Sequence, residues 1–236
     1  MDDEIAIKIQ ATLANTEWKV TKLDRISGGN ANFTYRGYLE RDGKTIFIKH
    51  AEPFAALNQA YALDASRSDF EWLMLQTMSN KPAAKTGQFE VRTPKVLGFY
   101  GTTKIIEDMP DSLTIKAFLS QYGQSIGKDE ATALGSSLGN WLAAFHKWLN
   151  SDDEEAKSTR EKLRSNPLIG PRANLYIGSY KSCMDEFPQM DWPTDDEFAK
   201  IEKHVREMYS AGDEAIHGDF WTGKYVGLLL LMLSKS

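Results

Sequence analysis

The chain has 236 residues, 42% of them hydrophobic and 26% charged, with a formal net charge of −5. That balance excludes the disordered class, and a global acidic excess gives no electrostatic reason to attract nucleic-acid phosphates. A single cysteine, Cys183, excludes an internal disulfide and a cysteine-rich zinc site.

The length suits one large domain or two small lobes. The N-terminus, Met1-Asp2-Asp3-Glu4, is acidic where a secretory leader would be basic. The expectation is a cytoplasmic chain with neither a nucleic-acid nor a membrane partner.

Ile5 to Leu13 carries apolar residues at mixed helical spacing. From Trp18 to Tyr38 the texture is that of strands, split by Ser27-Gly28-Gly29-Asn30. Asp42-Gly43 supplies the positive φ of a hairpin turn before Thr45 to Lys49, a β-branched and aromatic third strand. After Pro53 the pattern turns helical, with Leu63, Phe70, Leu73, Met74 and Thr77 leading to about Met78. Ser79 to Gly87 reads as a polar loop, followed by short strands at Lys95 to Tyr100 and Lys104 to Glu107.

Past Met109-Pro110 helices dominate the expectation: Leu113 to Gln121, Ala131 to Leu149 and Phe198 to Met208. Ser151 to Glu161 reads as an exposed helix end or loop. The apolar run Val226 to Leu233 is far shorter than the roughly 20 residues of a membrane-spanning helix, so it reads as a buried strand or short helix.

Four pieces carry chemistry, in order along the chain. The first is the glycine-rich stretch Ser27 to Phe33. Residues without side chains let backbone amides approach phosphate oxygens, although a Gly-Gly pair also serves as a plain hairpin turn. The second is Lys49, whose ammonium suits a nucleotide's phosphates or, alternatively, solvent at a strand edge. The third is Glu71 on the next helix, able to pair with Lys49 or with Arg67 one turn before it. The fourth, Ala215-Ile216-His217-Gly218-Asp219-Phe220, places a carboxylate two residues past a histidine, where it can orient an acceptor hydroxyl and take its proton.

Taken with Ile106-Glu107-Asp108-Met109 and Leu138 to His146, these landmarks resemble those of the aminoglycoside phosphotransferase family, whose relatives include choline, homoserine and methylthioribose kinases. The resemblance spans roughly Trp18 to Gly223. It implies an α+β, protein kinase-like fold of two lobes: residues 1–109 as a nucleotide-binding lobe with an antiparallel sheet and a helix, and residues 110–236 as part of a helical catalytic lobe. It implies ATP as phosphate donor and a small-molecule acceptor. Gly28, Gly29 and Asn30 would lie over the phosphates, Lys49 would touch them, and Glu71 would hold that lysine. Glu107 to Met109 would be the inter-lobe linker whose backbone recognises adenine, Asp219 the catalytic base, and His146 a structural histidine.

The chain also departs from the family pattern. Five residues past Asp219, where the family places a magnesium-binding asparagine, stands Lys224. An ammonium has no lone pair for a metal. Magnesium is expected for the family, yet no metal ligand is assigned here, and a second ligand and further helices would fall beyond Ser236. The run from Lys224 into Leu230 reads as the product of a shifted reading frame, a retained intron or a truncated gene model.

The expectation is therefore a small-molecule kinase impaired in transfer, with a non-catalytic kinase-like binding protein as the alternative. Gly218 to Tyr225 also fits the spacing of a phosphate-binding loop of the G-x-x-x-x-G-K kind, but tyrosine replaces the Ser or Thr such a loop needs. Asp185, Glu186, Asp195, Asp196 and Glu197 could draw an aminated substrate or simply form a solvated surface. Neither the acceptor nor an oligomeric state is legible.

Overall fold

The computed structural model describes residues 2–27, 30–167, 169–211 and 226–228. The fold is α+β. Its centre is a five-stranded antiparallel sheet in the order β1-β2-β3-β7-β6, the arrangement compatible with a kinase-like nucleotide lobe. The strands are β1 (Val20–Arg25), β2 (Phe33–Leu39), β3 (Thr45–His50), β6 (Val96–Tyr100) and β7 (Thr103–Glu107). Tight turns join neighbours: Gly43 and Gly101 adopt φ of 69° and 60°, the left-handed region that side chains penalise.

Alternation along the strands gives the sheet two different faces. On one, Ile46, Ile48 and Ile105 pack with Phe33, Tyr35 and Leu39 against helix α1 (Asp2–Leu13), which contributes Ile5, Ile9 and Leu13. That i, i+4, i+8 spacing forms one apolar stripe, so the expected helix is present and its buried face is the one the pattern marks. On the other face stand Lys49, Lys104 and Phe99, neighbours across β3, β7 and β6. Helix α2 (Arg67–Ser79) covers this side, with Trp72 stacked on Phe99 at 5.2 Å between ring centroids.

Two expectations change here. The helix anticipated after Pro53 begins only at Arg67. Residues 51–66 instead form an irregular segment held by a Phe54–Ala62 bridge, and Asp64 accepts from the Ser66 amide at the helix entrance. The short side chain of Asp64 satisfies that amide locally, which is what starts a helix rather than continues one. The polar loop after Ser79 contains a second hairpin, β4 (Ala84–Thr86) with β5 (Phe89–Val91), turning at Gly87 with φ 58°. These strands are three residues each, too short for a periodic signal.

Beyond the linker, β8 (Ser112–Thr114) leads into α3 (Ile115–Tyr122), whose first turn is capped by Thr114 accepting from the Ala117 amide at 3.1 Å. Helix α4 (Lys128–Leu149) follows, as its 3–4 spacing predicts. Strand β9 (Val226–Leu228) pairs antiparallel with β8, placing Val226 opposite Thr114. The start of the C-terminal apolar run is thus a strand, one of the two forms anticipated.

The chain divides into two compact units, residues 1–148 with 217–236, and residues 149–216. The second unit consists of α5 (Glu154–Arg164), α6 (Ile169–Glu186) and α7 (Asp195–Ala211). Arg160 donates to the Leu149 and Ser151 carbonyls, and Tyr180 stacks on Phe198 at 5.4 Å. Ser151 to Glu161 is largely helical, and α6 has no counterpart in the sequence reading. Asp195, Asp196 and Glu197 form the first turn of α7, where the helix dipole favours carboxylates. No helix among the described residues is long and apolar enough to cross a membrane.

Candidate functional site

The chemistry-bearing residues of the first unit converge on Glu71, in the second turn of α2. Lys49 on β3 forms an ion pair and hydrogen bond with its Oε1. Lys104, directly opposite Lys49 in the β3–β7 register, reaches Oε2 at 3.0 Å. Asn32 donates to the same oxygen at 3.1 Å. Of the two partners open to Glu71 from sequence, Lys49 is the one it binds. Arg67 points elsewhere, donating to the Glu52 carbonyl at 2.8 Å, to the Ala31 carbonyl at 2.9 Å and to Asn32 Oδ1 at 3.3 Å.

Electrostatics explain why the cluster holds. Like charges directly opposite on adjacent strands repel, and the two lysines tolerate each other through the carboxylate between them. Burial pushes the Glu71 carboxyl upward, but the ammoniums of Lys49 and Lys104 outweigh it and hold the group down at about 2. Lys104 is fully buried: burial draws its ammonium below the ordinary lysine range, and Glu71 partly restores it. Its ammonium also donates to Ser68 Oγ at 2.6 Å.

The glycine-rich stretch is tied in at its C-terminal end. Arg67 and Glu71, one turn apart, grip Ala31 and Asn32, while the Asn30 carbonyl accepts from the Leu57 amide at 3.0 Å. Gly28 and Gly29 lie outside the described residues, as do His217, Asp219 and Lys224. Two lysine ammoniums, Lys49 and Lys104, share the carboxylate of Glu71, while Arg67 also feels Asp64 and Glu52. Two ammoniums on one carboxylate leave this three-residue cluster with net positive charge, which suits an anionic ligand.

The segment Glu107 to Met109 is held from both sides. The Glu107 side chain takes a two-point contact from Arg92, at 2.6 and 2.9 Å, and accepts from the Lys95 amide. Arg92 draws the Glu107 carboxyl below its usual range. Asp108, buried at its side chain, is bound by Arg36 of β2. The Met109 carbonyl accepts from the backbone and hydroxyl of Ser112. His146 sits in α4 beside Phe145, with ring centroids 5.3 Å apart. No group of three or more His, Cys, Asp or Glu gathers as metal ligands among the described residues.

Sequence reasoning did not find Asn32, Lys104 or Arg36. A signal for Lys104 lay in its strand, where alternation puts it on the same face as Ile106 rather than that of Ile105.

No family model matches the chain. It is 28% identical over 249 residues to phosphotransferase FrzJ of Cladobotryum sp., covering 95% of this chain and 63% of that protein. It is 25% identical over 213 residues to 4-hydroxytryptamine kinase of Psilocybe cyanescens, covering 84% and 55%. The chain thus spans about three-fifths of the length of these curated relatives, both named for phosphate transfer.

Proposed function

We propose that this chain is an ATP-dependent phosphotransferase acting on a hydroxyl of a small metabolite. The observation that carries the reading is the Lys49–Glu71 pair, set on β3 and α2 and joined to Asn32, which follows the glycines in sequence. A lysine oriented by a helix glutamate is the means by which kinase-like enzymes hold nucleotide phosphates. The names of the two relatives support the same class of chemistry.

In this reading the amides around Gly28, Gly29 and Asn30 cover the phosphates, Lys49 contacts them, and the backbone of Glu107 to Met109 meets adenine. Asp219 accepts the proton of the acceptor hydroxyl as that oxygen bonds to the γ-phosphorus and the bond to the departing ADP oxygen breaks. Magnesium, when bound, neutralises charge on the phosphates. Lys224, at the position of the expected metal-binding asparagine, does not fit as a ligand, so no step is assigned to a metal here.

The same Lys224 favours a second reading, a nucleotide-binding protein without transfer. The purified chain is titrated with ATP, with and without magnesium. ADP release and phosphorylated product are then followed with a panel of hydroxyl-bearing small molecules. One relative is named for 4-hydroxytryptamine, so that compound heads the panel. Weak product formation is the expected result, since Lys224 stands where a metal ligand is expected. Binding without turnover for every acceptor selects the second reading, and absence of ATP binding overturns both.

A further inference from the structure

Glu71 is served by two lysines rather than one, and the two use different oxygens. Lys49 takes Oε1, leaving Oε2 to Lys104 and Asn32. Lys104 has no exposed side-chain surface, whereas Lys49 retains 27%. One lysine side chain therefore stays inside the protein, and the other keeps part of its surface open to solvent. Ser68, three residues before Glu71 on the same helix, accepts from Lys104 at 2.6 Å and itself donates to the Thr102 carbonyl at 3.3 Å. Ser68 is also fully buried. Lys104 is thus fastened at two points to one face of α2.

A single Lys–Glu pair is neutral, and its carboxylate cancels much of the field that the lysine offers to an anion. A second, buried ammonium on the same carboxylate changes that balance. It shares one of the two oxygens of Glu71 with Asn32 and leaves the cluster with net positive charge where the dielectric is low and charge acts strongly.

We propose that Lys104 is a positioning residue for the phosphate donor: by holding Oε2 of Glu71 it orients Oε1 toward Lys49, and its charge offsets that of the carboxylate so that the paired ammonium of Lys49 keeps a net pull on the phosphates of ATP. The inference rests on the nucleotide reading above and adds to it a residue that acts through Glu71 without touching the ligand. On the same helix Arg67 grips Ala31 and Asn32, which ties the residues after the glycines to α2.

The test measures ATP affinity of the full chain over a range of salt concentrations, for the wild type, Lys104→Met and Ser68→Ala. Methionine keeps the length and apolar stem of lysine and removes the charge. The expected result for Lys104→Met is about a tenfold weaker dissociation constant and a shallower dependence of log Kd on log salt, because the cluster behind the phosphates loses its net positive charge. A variant weakened only by a loosened fold would keep the wild-type slope. Ser68→Ala keeps the charge and loses its tether, with an expected weakening of about threefold at unchanged slope.

Wild-type affinity and slope in a folded Lys104→Met protein overturn the proposal. Should that variant fail to fold, wild-type affinity in Ser68→Ala overturns it. A wild type that does not bind ATP at all ends the nucleotide reading first, an outcome separate from either.

Discussion

Arg36 of β2 holds Asp108 of the linker at two points, Nε to Oδ2 at 2.6 Å and Nη2 to Oδ1 at 3.2 Å. The Asp108 side chain is only 2% exposed, and Arg36 is the cation that meets it. The contact spans 72 residues of sequence and fixes the end of β7 to the sheet's second strand. It also sits between Glu107 and Met109, whose backbone is proposed above to meet adenine.

Arg36→Ala is expected to cost about 2 kcal/mol, since it leaves a buried carboxylate without its main counter-charge. The loss would register as a lower thermal midpoint. Restoring a donor with Arg36→Lys should recover only part of it, because an ammonium cannot make the two-point contact.

Acidification should destabilise the protein in two stages. His50 is buried on β3, with Nδ1 on Thr103 and Nε2 on Glu52, which also binds Lys8 of α1. Burial lowers its proton affinity against the pull of Glu52. The unfolded chain then binds the proton more readily, and stability is lost as pH falls below about 6.5. Glu71, held at about 2 against an ordinary 4.5, contributes stability that is present above 4.5 and lost between there and 2. Chemical denaturation across pH 7 to 3 should show both declines. His50→Gln should flatten the first and Glu71→Gln the second.

Lys49→Met should lower any phosphate transfer by about a hundredfold or more, the scale of losing a charge contact to a transferring phosphoryl group. The fold should survive, because Glu71 retains Lys104 and Asn32. Asp219→Asn should remove transfer while leaving ATP affinity near the wild-type value. Paired binding and turnover measurements on the two variants check both expectations, and unaltered turnover in either would reject the role given to that residue.

Gly37→Ala should destabilise by about 1–3 kcal/mol through overpacking. A Cβ there would lie 2.9 Å from both Ile48 Cδ1 and Val20 Cγ1, inside the core between the sheet and α1. Gly123→Ala, which meets no atom within 4 Å, is the control and should be near neutral or slightly stabilising.

Periodic burial made the central architecture readable from the chain alone. Ile5, Ile9 and Leu13 mark one helix face, Thr45 to Lys49 carries strand-forming residues, and Asp42-Gly43 dictates its turn, because each of these depends on contacts within a few residues. The order Gly-rich turn, Lys49, Glu71 was likewise visible as residue types at workable spacings. Which lysine or arginine Glu71 would choose was not. That outcome follows from β3 and β7 lying side by side, which brings Lys104 to the same carboxylate across 33 positions of chain, and from Arg67 finding backbone carbonyls instead. A long polar side chain has several partners within reach, and it is packing between distant segments, with the cost of burying an unpaired charge, that selects one of them.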